Sequence, residues 1–205
     1  MKYRLLDLLA CPGCAEPFEL EKFEVSTANN GEVEVEQGLL KCICGAWYPI
    51  VDAVPVILPN ALDIYADFAR QYRDKLPQWN ISAEEIRRFE AEKKKTQESF
   101  GFEWTIYSSV REERDEGYVL EGGLTPDFFK DKLVLDAGCG YGRHAKVVQD
   151  YGAEVVGIDL SVAVINAQRI TREMPRAHIV QTDLFNPPFR KEIFDVVYSW
   201  GVLHH

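Results

Sequence analysis

The sequence predicts an α/β fold: half of a doubly wound parallel sheet at the C-terminal end, preceded by a helical stretch and a small four-cysteine domain. Three observations predict it. From Leu133 onward, short apolar runs alternate with segments of helical period. The first of those runs ends in "LDAGCGYGRHA", which places Gly138, Gly140 and Gly142 on alternate positions behind Asp136. Near the N-terminus, Cys11 with Cys14 and Cys42 with Cys44 form two close pairs.

Bulk properties limit the function classes. A chain of 205 residues holds one ordinary domain and a small one, and its 46% hydrophobic and 27% charged content is that of a globular protein. The net charge is −10 and no third of the chain carries an excess of basic side chains, which argues against nucleic acid as a partner. The one basic run, Lys93 to Lys95, reads as a solvated helix face. No apolar window is long enough to span a membrane, and the N-terminus has no secretory h-region; no membrane partner is expected and the cytoplasm is the default location. In a reducing compartment, clustered cysteines are more often metal ligands than disulfides.

The cysteine pairs have the arrangement of a zinc ribbon over residues 1–59. Each pair sits on a tight knuckle, and 27 residues separate Cys14 from Cys42. Between them, "NNG" signals a hairpin and "EVEVE" alternates with period two. Four thiolates leave no open coordination position, so the expected Zn2+ is structural, held by Cys11, Cys14, Cys42 and Cys44. The segment "WYPIVDAVPVILP" reads as two short strands closing this unit. Together, "LLDLLACPGC" and "CGAWYPIVDAVPVIL" resemble the small zinc-ribbon proteins that serve as activating partners of tRNA and protein methyltransferases.

Residues 60–130 read as a helical linker or cap. Asn60 and Asp63 open a helical pattern with Ile64, Phe68 and Tyr72 on one face, stopped by Pro77. Ser82 with Glu85 matches a capping box for a second helix that carries Ile86 and Phe89 and ends near Gly101. Phe100, Phe102, Trp104 and Tyr107 read as a packing cluster, with Trp104 and Tyr107 placed to close over a ligand.

The segment 131–205 reads strand, turn, helix, repeated: "KLVLDAG", a helix stopped by Gly152, "AEVVGIDLS", "VAVINAQRITREM", "AHIVQTD" and "FDVVYSWGVLHH". This predicts a Rossmann-like parallel sheet of order 3-2-1-4 with its ligand at the carboxyl ends of the strands. The turn separates two cofactor classes. A dinucleotide site needs G-x-G-x-x-G, but the sixth position from Gly138 is Arg143, and Asp136 would set negative charge beside a pyrophosphate. The same acid suits a cofactor that carries an ammonium and a sulfonium and no phosphate, as S-adenosylmethionine (SAM) does. Asp159, 23 residues beyond Asp136, ends the second strand, and Asp183 ends the third.

In order and spacing, "VLDAGCGYGRHA", "VVGIDLS", "QTDLFNPPF" and "FDVVYSWGVLHH" resemble the successive motifs of class I SAM-dependent methyltransferases of the small-molecule type. The resemblance implies that Asp136, Gly138, Gly140 and Gly142 shape the methionyl pocket. It further implies that Asp159 and Leu160 take the ribose and that Asp183 and Leu184 take the adenine. Cys139 reads as a small buried filler rather than a nucleophile. Catalysis would require an in-line acceptor, a small molecule, with His204 or His205 as candidate bases and Tyr198 behind them. The family fold continues beyond the fourth strand, so a C-terminally truncated chain is expected. A protein partner or a second copy would then cover the apolar edge. Two other classes remain open on sequence: a non-catalytic zinc-ribbon interaction module and an NAD(P)-dependent oxidoreductase.

Overall fold

The computed structural model describes residues 1–27, 31–79, 81–106 and 123–202, with side chains 94, 95 and 97–106 outside the description. Helix α1 (Tyr3–Leu8) precedes an antiparallel meander of β1 (Phe18–Thr27), β2 (Val33–Cys42), β3 (Trp47–Val51) and β4 (Val54–Ile57). The β3–β4 turn is made by Asp52 (φ 48°) and Ala53 (φ 65°). Two successive positive φ angles give the twist that a two-residue hairpin needs, although no glycine marks this one.

The helical stretch follows as α2 (Ala61–Ile64), α3 (Ala66–Gln71) and a 3-10 turn at Arg73–Lys75. Phe68 and Tyr72 are buried there, as their spacing predicts. Helix α4 (Ala83–Ile106) starts at the expected capping box: Glu85 N donates to Ser82 Oγ at 3.2 Å, and Ser82 N donates to Glu85 Oε2 at 3.0 Å. It continues past Gly101 to Ile106, because one glycine costs a helix only about 1 kcal/mol. Among the described residues, no helix is long and apolar enough to cross a membrane.

After α5 (Pro126–Phe129) comes the parallel part: β5 (Leu133–Ala137), α6 (Arg143–Asp150), β6 (Glu154–Asp159), α7 (Val164–Thr171), β7 (Ala177–Thr182) and β8 (Val196–Tyr198). The order β7-β6-β5-β8 is the expected 3-2-1-4, all parallel. β8 is the terminal strand and exposes Val197.

The far side of β7 was not anticipated. β4 pairs with it in parallel, Val56 opposite Gln181 and Ile57 opposite Thr182, so the meander and the parallel strands form one sheet of order β1-β2-β3-β4-β7-β6-β5-β8. Alternate residues of the parallel strands face opposite ways. Val134, Val155 and Ala177 pack under α6 with Val148. Leu135, Val156 and Val180 pack instead with Leu5, Leu8 and Leu9 of the N-terminal segment and with Leu40 and Ile50 of the meander. The N-terminal segment therefore supplies the second cover that a parallel sheet requires.

A polar seam borders this shared core. Arg4 donates to both oxygens of Glu154, at 3.0 and 3.2 Å, and Glu154 also meets His178 Nε2 at 3.1 Å. Lys2 Nζ lies 3.1 Å from Glu34 and donates to Ala177 O, while Arg172 pairs with Glu34 and Glu36.

Candidate cofactor and metal sites

The glycine turn leaves β5 at Ala137 and is pinned to the end of β6: Gly138 N and Cys139 N both donate to Ile158 O, at 2.8 and 2.9 Å. Gly138 has φ 91°, and a Cβ there would come within 2.2 Å of Val202 Cγ2. Gly142 caps α6 at φ 86°, where a Cβ would lie 2.9 Å from Ala167 Cβ of α7. Only glycine meets both demands, left-handed backbone and no room. The amide of the middle glycine, Gly140, donates to Asp159 Oδ2 at 2.9 Å. Cys139 is buried among Val54, Val164, Ala167 and Ile179, and burial pushes its thiol up; it is the filler its sequence context suggests.

The three strand-end acids differ in state. Asp136 is fully buried, and its Oδ2 has no hydrogen-bond partner among the described residues. Burial pushes it up to about 7, with the nearby Asp159 charge adding, against the Tyr198 hydroxyl and Arg143. Asp159 is half-buried and already accepts from Gly140 N, from Ser161 N at 2.8 Å and from Ser161 Oγ at 2.7 Å. A carboxylate has about four acceptor sites, so one remains, on Oδ2, for a ligand hydroxyl. Asp183 accepts from Phe185 N at 3.1 Å, and Lys93 Nζ of α4 lies 3.7 Å from its Oδ2. Lys93 also sits 4.1 Å above the exposed ring of Phe185. Leu184 packs against the shared core, and Leu160 O accepts from Gln181 Nε2, whose Oε1 accepts from the Tyr65 hydroxyl. Adjacent strands carry the acids, so Asp136 and Asp183 stand about two strand spacings, roughly 10 Å, apart.

The Tyr198 hydroxyl is buried and has no hydrogen-bond partner among the described residues, and its pKa is pushed well up by burial and by the Asp136 charge. His204, His205 and Tyr107 lie outside the described residues, as does the side chain of Trp104.

At the other end of the sheet, Cys11, Cys14, Cys42 and Cys44 converge, their sulfurs all within 4.8 Å of one another. Cys11 Sγ is 3.8 Å from Cys44 Sγ, and Cys14 Sγ is 3.3 Å from Cys42 Sγ, with no disulfide. Four thiolates at about 2.3 Å from a tetrahedral zinc stand about 3.8 Å apart, so the cluster fits such an ion. Each knuckle is closed by backbone bonds, Ala15 N to Cys11 O and Gly45 N to Cys42 O. The first knuckle is also tied to the segment before β8. Ala10 N donates to Pro188 O at 2.9 Å, and Arg190 N donates to Leu8 O at 3.1 Å.

Sequence reasoning missed the Tyr198–Asp136 contact, the Lys93–Asp183 pair and the ties between the first knuckle and residues 188–190. None leaves a local signal, since each joins residues from separate elements.

A parallel half-sheet of order 3-2-1-4, an alternate-glycine turn behind a buried acid and two further strand-end acids give an arrangement like that of Rossmann-like methyltransferase folds. Residues 135–205 match the family described as a methyltransferase domain. A tRNA U34 carboxymethyltransferase of Tolumonas auensis is 37% identical over 82 residues, 37% of this chain and 24% of its own length. A malonyl-[acyl-carrier protein] O-methyltransferase of Enterobacter lignolyticus is 39% identical over 66 residues, 32% of this chain and 26% of that protein. The chain thus spans about a quarter of the length of these relatives. A crystal structure of an S-adenosylmethionine dependent methyltransferase from Mesorhizobium loti is 25% identical over 42% of this chain and 38% of that one, with a TM-score of 0.36.

Proposed function

We propose that the chain binds SAM at the carboxyl ends of β5 to β7 and serves methyl transfer to a small-molecule acceptor, with a structural zinc in the N-terminal ribbon. The observation that carries this is Asp136: a buried carboxyl with an open oxygen beside a glycine turn calls for a cationic ligand group. The cofactor, when bound, supplies an already activated methyl group. The chain's own work is positioning: Asp136 faces the ammonium end, Asp159 takes a ribose hydroxyl with Leu160 beside it, and Asp183 with Leu184 takes the adenine. Gly138 and Gly142 let the backbone close around it, and Gly140 is held by Asp159.

Cys11, Cys14, Cys42 and Cys44 would hold zinc, which closes the ribbon tip. Residues 1–59, 60–130 and 131–205 divide the labour as metal unit, cap and cofactor unit. Free thiols at metal-ligand spacing suit a reducing cytoplasm. The net charge of −10 favours a small acceptor over a tRNA, the substrate named for one of the relatives.

Calorimetry with SAM, S-adenosylhomocysteine and NAD tests the assignment. Heat with the first two and none with NAD is expected; heat with NAD alone would overturn it. Stoichiometric zinc in the purified protein, lost in Cys11→Ser, is the expected metal result, and its absence in the unmutated protein would refute the ribbon assignment.

A further inference from the structure

Among the polar groups around the glycine turn, Tyr198 has no part in the cofactor contacts assigned above. It ends β8, and Asp136 lies directly across the ladder from it. Its hydroxyl is buried and, like Asp136 Oδ2, has no hydrogen-bond partner among the described residues, while His144 of α6 packs edge-on to its ring at 6.5 Å. Ser199, the next residue, is anchored by its Oγ to Ala137 O at 2.7 Å, which holds the end of β8 against β5. The phenol is thus held by the pairing of β8 with β5 and by His144, with its hydroxyl buried on the ladder position opposite Asp136.

Resting on the SAM assignment, we infer that Tyr198 is a positioning residue of the cofactor site: it donates to Asp136 and stabilises the carboxylate that receives the cofactor's ammonium, so that binding SAM expels the Asp136 proton.

The surroundings of Asp136 require such a donor. Asp159 of β6 opposes its ionisation, burial pushes the Cys139 thiol up and the His144 imidazole down to about 4, and among the described residues Arg143 of α6 is the cation that favours the carboxylate. In the free chain the carboxyl keeps its proton near neutrality. An arriving ammonium reverses that balance by Coulombic attraction in a water-poor site, and the proton leaves to buffer. The hydroxyl then donates to the carboxylate oxygen facing it. A hydrogen bond to a charged group is among the stronger ones, so its loss should cost roughly tenfold to a hundredfold in affinity.

The test is calorimetric titration of the full chain with SAM from pH 5.5 to 7.5, in buffers of differing ionisation enthalpy. Affinity should rise by up to about tenfold per pH unit, with up to about one proton released at the acid end. 5′-Methylthioadenosine, which lacks the ammonium, should bind with no proton release. Tyr198→Phe should weaken SAM at neutral pH and move the transition to higher pH, whereas a merely structural tyrosine would leave the pH midpoint in place. Asp136→Asn should abolish the pH dependence, and a thermal melt checks that each variant is folded.

SAM binding without proton release in the unmutated chain would overturn the role of Tyr198 while leaving the cofactor assignment intact. SAM failing to bind at any pH would overturn both.

Discussion

The meander and the parallel strands belong to one sheet and share an apolar core, but the meander side adds a cluster of four thiols. β1 exposes residues along both faces, and the meander's far tip ends in four converging thiols. β7 is buried along its whole length, and β5 and β6 nearly so. Both regions rest on apolar burial, at about 25 cal/mol per Å² removed from water, and the proposed zinc would add a local cross-link to one of them. They meet at β4, whose four residues are all buried and whose outer partner is a strand of the other region.

The largest expected effect comes from breaking the cross-link. Chelation, or Cys42→Ser, should lower the melting temperature of the whole chain by ten degrees or more, since structural zinc sites contribute on the order of 10 kcal/mol to small domains. Scanning calorimetry sharpens the contrast. A single shifted transition means that the shared core of Leu5, Leu9, Ile50, Leu135 and Val156 couples the regions; two transitions would show that β4 does not.

Next is Gly138→Ala. The left-handed backbone and the approach of Val202 should together cost about 2–4 kcal/mol and abolish SAM binding, whereas chelatable zinc should remain at full stoichiometry. Loss of zinc together with SAM binding would show that the regions are tightly coupled.

Asp136→Asn should act in the opposite direction on stability. A carboxyl held at about 7 in the native state binds its proton longer than the unfolded chain does. Native stability thus falls as pH rises from about 4 toward 7, and the amide should remove that fall. Denaturant melts at pH 5 and pH 8 would show it, with the variant gaining more on the native protein at pH 8 than at pH 5.

The smallest effect lies on the seam. Glu154 is held down at about 2 by its hydrogen bond from His178, with Arg4 assisting against burial. Its contribution is present above the ordinary carboxylate range and is lost as pH falls from about 4.5 toward 2. Arg4→Ala, at a half-exposed position, should cost about 0.5–1 kcal/mol, measured by the same melts, and should soften the acid limb of the profile.

The periodic elements were legible because they are local. Alternating runs from Leu133 foretold β5 to β8 in their order, Ser82 and Glu85 foretold the start of α4, and the cysteine spacing foretold a cluster that the fold does bring together. The turn at Asp52 and Ala53 was less legible, because its residues adopt positive φ without being glycine. In the candidate site, the acids could be placed at the strand ends from spacing, but their states could not. Asp136 has an open oxygen and is pushed up to about 7 by burial, Asp159 is occupied by the turn, and Asp183 is engaged by Phe185 N and Lys93.

By itself, then, the sequence determined which segments are strands, where the glycine turn falls and which thiols can meet, since each follows from period, spacing or backbone freedom within a short stretch. Tertiary structure alone decided that β4 extends the parallel sheet, that α1 covers its second face and that Tyr198 reaches Asp136. Such pairings join residues from separate elements, and their strength comes from desolvation, which no local pattern records.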